Sequence, residues 1–148
     1  MNFRNNFARL AETLLIEGKK DKAVKVLDKC LEVMPETTVP YNIFVIRIAD
    51  LYYKCATSFP VDTAKAKGAE ETDKANKLVK RLADIYEEDL GYYFSLKGSP
   101  YAKSVERDMQ QGMAVMQELY RLSNEAGQKD LAADLDKRFK KLQQAYSG

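Results

Sequence analysis

Histidine and tryptophan are absent from the 148 residues of this sequence, and cysteine occurs only twice. Histidine is the commonest general base at neutral pH and the commonest protein ligand for metals. Its absence excludes catalysis by Ser-His-Asp or Cys-His groups and excludes histidine-based zinc sites. Any catalysis would therefore depend on carboxylates, lysine or tyrosine.

A surplus of either charge is also lacking, because 24 basic residues are balanced by 22 acidic ones throughout the chain. Nucleic-acid binding needs clustered lysine and arginine that displace counterions from phosphate. The densest basic segment, 137–141, follows a segment with three aspartates at 130–136. This spacing predicts an ion-paired helix surface, so we expect no nucleic-acid partner.

Long hydrophobic runs are missing as well. The longest aliphatic and aromatic run is 43–46, far below the roughly 20 residues of a membrane-spanning helix. The first residues also lack the apolar stretch of a secretory signal. We expect no direct membrane insertion by these residues. If the protein is exported, they are not its export signal, and the sequence is then a piece of something longer.

The two cysteines, Cys30 and Cys55, form no CxxC pair. Cys30 falls on the apolar side of a predicted helix, where a small side chain packs well, which favours a packed thiol. A disulfide between the two stays open, because sequence separation does not give the Cα distance that decides it.

Apolar residues recur every three or four positions, as in the stripe of Phe3, Phe7, Leu10 and Leu14, and this periodicity predicts an all-α fold. Caps, glycines and prolines set the predicted boundaries. The first predicted helix is bounded by Asn2 and Gly18, the second by Asp21 and Pro35, and the third by Pro40 and Ala56.

The second half of the chain predicts three more helices. The fourth continues a helical period from 75 to 96, and the fifth begins with Ser99 as cap and Pro100 as its first residue. Gly127 separates the fifth helix from the last. Six helices in three consecutive pairs suggest an internal repeat.

Residues 5–37 resemble a tetratricopeptide repeat, whose pattern of large, small and turn positions they keep in register. These positions are Phe7, Leu10, Ala11, Leu14, Gly18, Ala23, Leu27 and Pro35. Small side chains at Ala11 and Ala23 are expected where the two helices cross closely, with Phe7, Leu14 and Leu27 around that crossing. The resemblance implies helical hairpins stacked in a right-handed array.

Two further copies of the repeat are less regular. The second matches at 45–52 and 75–82, with a predicted inserted loop at 57–70 in its turn. The third, which includes Met116, Leu119, Gly127 and Ala132, is a degenerate closing hairpin. The prediction is one domain over 1–148, with repeat 1 at about 2–36, repeat 2 at about 39–96 and the closing hairpin at 99–146.

Segments 4–11, 22–30, 39–41 and 82–86 resemble a narrower group. They are similar to the soluble C-terminal region of bacterial many-spanning membrane proteins of uncertain function that are related to protein O-glycosyltransferases. This resemblance implies a periplasmic tail without catalytic residues, whereas a chain of its own would be cytoplasmic.

First helices line the inner surface of tetratricopeptide arrays, and such surfaces usually bind peptide segments. The resemblance therefore implies a partner-binding inner face at Asn5, Glu12, Leu15, Ile16, Ile43, Ile46, Asp50 and Tyr53. Clamping of a terminal carboxylate is not expected, because Glu12 and Asp50 stand where asparagine is needed. Leu15, Ile16, Ile43 and Ile46 could equally be covered by the fifth helix.

Three other groups of residues are candidate sites. Tyr86, Tyr92, Tyr93, Phe94 and Tyr101 could stack on sugars or bases, but hydrophobic packing at a hairpin tip is favoured. The carboxylates at 70–71 and 87–89 are expected on solvated helix surfaces, because adjacent residues of one helix point in different directions. Asp62-Thr63-Ala64 matches a short acceptor pattern of bacterial O-glycosylation, which makes Thr63 a candidate.

Taken together, the sequence predicts a non-catalytic scaffold that binds a protein or peptide, with no catalytic residue, metal or cofactor. It is expected to be the extracytoplasmic tail of a membrane glycosyltransferase-like protein. The alternatives are a free-standing adaptor or self-associating scaffold, in which case a homo-oligomer forms, and more remotely an enzyme based on carboxylates and tyrosines.

Overall fold

The computed structural model describes residues 3–57 and 69–147, and these residues form an all-α structure, which confirms the predicted fold class. A 3₁₀ turn, Lys103–Val105, accompanies the α-helices. The α-helices of the described residues are α1 (Phe3–Ile16), α2 (Lys20–Val33), α3 (Phe44–Thr57), α4 (Ala69–Ser95), α5 (Glu106–Glu125) and α6 (Lys129–Ser147).

The chain divides into two compact units, Met1–Val79 and Lys80–Gly148, and the boundary falls within α4. The predicted single domain of stacked repeats stays a prediction. Both ends of the predicted inserted loop at 57–70 are helical, because α3 includes Thr57 and α4 begins at Ala69, and the rest of the predicted loop lies outside the described residues. None of the helices in the described residues is long and apolar enough to cross a membrane.

The first and last helix pairs are each closed by a glycine in the left-handed conformation. Gly18 has φ +80° and Gly127 has φ +76°. At the first turn the Lys19 amide donates to the Leu14 carbonyl (2.8 Å), and at the second the Gln128 amide donates to the Ser123 carbonyl (2.9 Å). This hydrogen bond satisfies carbonyls that a helix end leaves without partners, so both glycines act as predicted.

Three predicted helix starts are wrong. No side-chain cap hydrogen bond is made at the start of α2, so Asp21 is a residue of the first turn and not the cap. Helix α3 begins at Phe44, whose amide donates to Asn42 Oδ1 (3.1 Å), and not at Pro40. Helix α5 begins at Glu106, after a turn in which the Ser99 hydroxyl accepts a hydrogen bond from the Tyr101 amide.

Arg4 binds the non-helical segment between α2 and α3. Its side chain is buried, and its guanidinium donates to the carbonyls of Met34 (2.9 Å), Val39 (2.5 Å) and Pro40 (2.8 Å). The guanidinium also lies 5.0 Å from the ring centroid of Tyr41. Three hydrogen bonds from one charged guanidinium hold the end of α2 and the connector to α3 in place.

The core of the first unit combines small residues of the first hairpin with larger residues of α3. Ala11, Ala23 and Leu27 are fully buried, as expected of the crossing point, and Ile48 and Tyr52 of α3 are equally buried. Cys30 and Cys55 are buried free thiols.

Asp28 joins α2 to both α3 and α4. Its carboxylate accepts a hydrogen bond from the Tyr52 hydroxyl (2.6 Å) and lies 3.0 Å from Lys74 Nζ. Glu71, one helical turn before Lys74, is buried and not on a solvated surface as expected, and burial raises the pKa of its carboxyl. These contacts place Asp28 on the side of α2 that meets the rest of the unit.

In the second unit, α5 and α6 pack through Met116, Leu119 and Leu135, which are fully buried. Arg138 of α6 donates to Glu87 Oε2 (2.6 Å) and to Asp84 Oδ1 (2.7 Å) of α4. Gly112 of α5 lies against Leu90 of α4 so closely that an added Cβ would be 2.8 Å from Leu90 Cδ2.

Candidate partner-binding surfaces

The predicted inner face lies along α1 and α3. On α1, Asn5, Glu12 and Ile16 lie on one side of the helix, since successive residues turn by about 100°. The exposed side of α3 presents Ile46 and Asp50, and Ile43 precedes the helix. We call these six residues, together with Arg47, the α1–α3 face.

Arg47 connects the two helices of the α1–α3 face, and sequence reasoning missed it. Its guanidinium donates to Asn5 Oδ1 (2.8 Å) and to Glu12 Oε2 (2.6 Å). The hydrogen bond and the charge of Arg47 hold the pKa of Glu12 below its ordinary value. A pair separated by 35 residues leaves no signal in helical periodicity. The hydrogen bonds of Arg47 hold Asn5 and Glu12, the polar residues of α1 on this face, in place.

The apolar residues of the predicted inner face differ in exposure. Ile16 is 80% exposed and Ile43 is 37% exposed, whereas Leu15 and Ile46 are half-buried. Asp50 forms an ion pair with Lys54 (3.1 Å), one turn further along α3. The face therefore offers separate apolar contacts around charges that are already paired.

Tyr53 is only 4% exposed, so its ring offers almost no surface to a partner. Its hydroxyl donates to Asn76 Oδ1 of α4 (2.5 Å), and burial raises the pKa of Tyr53. Tyr53 shares one side of α3 with Ile46 and Asp50, but it lies in the core, and α4 provides its hydrogen-bond partner. Thr63, the candidate glycosylation residue, lies outside the described residues.

A second surface is the apolar stripe of α1, which was expected to pack inside the repeat. The buried residues of α1 are Arg4, Ala8 and Ala11, one quarter turn away from the stripe. Phe3 and Leu10 are more than half exposed, and Phe7 and Leu14 are half-buried. The prediction that Phe7 and Leu14 fill the crossing is therefore met only in part, because Ala8, Ala11 and the side chain of Arg4 occupy the buried side.

The second unit contains a cleft of about 200 Å³ between α4 and α5. Asp89 and Tyr93 line it from α4, and Asp108 and Gly112 line it from α5. Burial raises the pKa of Asp89, and the neighbouring carboxylate of Glu88 raises it further. Burial, and then Asp108 and Asp89, raises the pKa of Tyr93. Two carboxylates beside an aromatic ring suit a cationic group and oppose an anion.

The remaining aromatic and acidic residues of the second unit are structural or exposed. Phe94 packs against Tyr146, with ring centroids 5.9 Å apart, whereas Tyr92 and Tyr101 are mostly exposed. Packing at the hairpin tip therefore accounts for only part of the predicted aromatic cluster. Glu87 is paired with Arg138 and does not line the cleft.

Neither a metal-binding group nor a similar protein of known function identifies a site in the described residues. Within residues 3–57 and 69–147, no group of three or more cysteine, aspartate or glutamate side chains could hold a metal ion. The chain matches no protein-family model, no curated protein and no solved structure. The surfaces described above therefore carry the functional argument.

Proposed function

We propose that the protein is a non-catalytic interaction module of tetratricopeptide type, and that a protein or peptide partner binds its first unit. The observation that carries the proposal is the distribution of exposed apolar side chains. Seven of the nine large hydrophobic residues that are exposed in the described chain belong to the first unit: Phe3, Leu10, Ile16, Val33, Val39, Ile43 and Phe44. Contiguous exposed apolar surface is typical of interaction sites.

The helix arrangement of the first unit supports the repeat type. Helices α1 and α2 form a hairpin with buried alanines at their crossing, and α3 packs against α1, where the first helix of a next repeat is expected. The hydrogen bonds from Arg47 to Asn5 and Glu12 join α1 to α3, which would be the first helices of consecutive repeats. That side of a tetratricopeptide array is its binding surface.

The α1–α3 face is the proposed surface for a peptide segment. Ile16, Ile43 and Ile46 offer apolar contacts, while Arg47 is held by Asn5 and Glu12 before any partner arrives. Side chains that are already ordered lose little entropy on binding. The peptide would therefore place apolar side chains against the isoleucines and a polar group beside Arg47.

The narrower resemblance supports a location for the module. We propose that it is the extracytoplasmic tail of a membrane protein of the glycosyltransferase-related group. The alternative is a free-standing adaptor or self-associating scaffold. Sequencing the gene upstream of the first codon separates the two, since only the tail requires membrane-spanning segments encoded there.

Affinity capture from the native organism tests the binding surface. The wild type, the Ile16→Asp/Ile46→Asp variant and a Tyr101→Asp control are compared, because Tyr101 is a large exposed residue of the second unit. We expect the same partner with the wild type and the control, and its loss from the double variant.

Folding of each variant is checked by circular dichroism and urea unfolding. Ile16→Asp alone is the second variant, since Ile16 is 80% exposed and its replacement leaves the core intact. Unchanged capture by folded Ile16→Asp/Ile46→Asp protein would remove the α1–α3 face from the proposal.

A further inference from the structure

The first hairpin carries apolar side chains on the surface opposite to the α1–α3 face. On α1 they form the stripe Phe3, Phe7, Leu10 and Leu14, and on α2 they are Val26 and Val33. Phe3, Leu10 and Val33 are each more than half exposed, and the other three are half-buried. We call these six residues the α1–α2 apolar face.

The orientation of this face follows from the contacts on the other side of each helix. On α1, Asn5 and Glu12 bind Arg47 of α3. The stripe with Leu10 lies about half a turn around the helix from them. On α2, Asp28 binds Tyr52 and Lys74, and Val26 lies nearly opposite to it. Both stripes are therefore turned away from α3.

The two stripes also lie at matching heights along the hairpin. Leu10 and Val26 are the same number of residues from Gly18, and so are Phe3 and Val33. In antiparallel helices joined at Gly18, such positions lie side by side. The α1–α2 apolar face thus runs the length of two 14-residue helices, which is about 21 Å or four turns.

Charge distinguishes the two edges of the face. Lys22 and Lys29 occupy the same stripe of α2 as Val26 and Val33, since the spacing along the stripe is four, three and four residues. Lys29 lies 3.6 Å from Glu32 in an exposed pair, and further around α2 the exposed Lys25 and Asp21 carry opposite charges. The α1 edge carries the uncharged residues Asn6 and Thr13.

We propose that the α1–α2 apolar face binds an amphipathic helix of a partner protein, with acidic side chains along the edge of that helix that meets α2. A helix of about four turns fits its length, and anchors at i, i+3, i+4 and i+7 fit a hairpin surface. Carboxylates at the α2 edge would pair with Lys22 and Lys29. A second copy of this chain offers no acidic edge to meet Lys22 and Lys29, because the α1 edge of its face is uncharged and the α2 edge carries the same lysines.

Two synthetic helical peptides of 18 residues test the proposal by fluorescence anisotropy. They share one leucine stripe, and one carries glutamates along its edge where the other carries lysines. We expect the full chain to bind the glutamate peptide at least tenfold more tightly, with affinity falling as salt is raised. Lys22→Glu/Lys29→Glu should reverse the preference, and Leu10→Asp should remove binding of both peptides.

Two control variants show whether the preference for the glutamate peptide belongs to the α1–α2 apolar face. Lys137→Glu/Lys141→Glu makes the same charge change on exposed positions of α6, and should leave the preference unaltered. Ile16→Asp/Ile46→Asp should also bind the glutamate peptide normally, which separates this surface from the α1–α3 face.

Three results would overturn the proposal. One is equal or absent binding of the two peptides, and another is an unchanged preference in folded Lys22→Glu/Lys29→Glu protein. The third is self-association of the peptide-free chain that sedimentation detects in the wild type and not in Leu10→Asp. That result assigns the face to a second copy.

Discussion

The first and last hairpins are built on the same turn but use their apolar residues differently. In α5 and α6 the large apolar residues are buried or half-buried, and the fully exposed positions of the described chain there are polar, charged or alanine. In α1 and α2, alanines and an arginine occupy much of the buried side, while Phe3, Leu10 and Val33 are exposed. The last hairpin uses its large apolar side chains for its own core, whereas the first has more than its core requires.

This difference indicates that equal hydrophobic periodicity does not mean equal packing. A stripe at helical spacing shows that a helix has an apolar side, but another part of the structure decides whether that side is covered. An uncovered stripe of this size is typical of a binding surface.

The largest expected effect separates a core leucine of the last hairpin from a stripe leucine of the first. Leu135 is fully buried, so Leu135→Ala should lower the free energy of unfolding by about 3 kcal/mol through lost burial and a cavity. Leu10→Ala should change it by less than about 0.5 kcal/mol, because Leu10 is already half exposed. Urea unfolding measures both. An equal loss in the two variants would mean that Leu10 belongs to the core and would end the contrast.

The second prediction concerns Arg4, which is buried in the first hairpin where a large apolar residue would be usual. Arg4→Ala should lower the free energy of unfolding by about 2 kcal/mol, because three carbonyls lose a charged donor. Arg9→Ala changes an exposed arginine of the same helix and should have an effect within about 0.5 kcal/mol. Chemical denaturation of the two variants decides the matter. Similar stabilities would show that Arg4 does not hold the connector.

The smallest effects should have opposite signs at two glycines of the second unit. Gly112→Ala should destabilise by about 1 kcal/mol, because its Cβ would meet the fully buried Leu90 at 2.8 Å. Gly91→Ala should stabilise by up to about 1 kcal/mol, since that position of α4 is open and alanine favours a helix. Thermal unfolding gives both signs, and stabilisation by Gly112→Ala would mean that α4 and α5 are not closely packed there.

Periodicity predicted most of the helices but not all of their starts. Gly18 and Gly127 mark turns that only glycine adopts easily, so these boundaries are readable from the chain. The start of α3 was misplaced because Pro40 is compatible with a first turn, and nothing local shows that Arg4 binds its carbonyl. Helix ends that depend on distant side chains are not visible in a local pattern.

The candidate surfaces were predicted in the same incomplete way. The positions of Glu12 and Ile16 on one side of α1 follow from spacing alone. Arg47 was missed because its partners are 35 and 42 residues away. The burial of Tyr53 also depends on a different helix, since Asn76 of α4 accepts its hydrogen bond.

Residue types and local spacing are enough to establish the all-α class, the glycine turns and the exclusion of histidine chemistry. These depend on residue type and on spacing within one helix, which local physics controls. The packing of the helices against one another determines which apolar residues are buried. It also places Arg4 in the core and brings Arg47 of α3 to α1. Burial and long-range pairing depend on which helices meet, and one helix does not encode its neighbours.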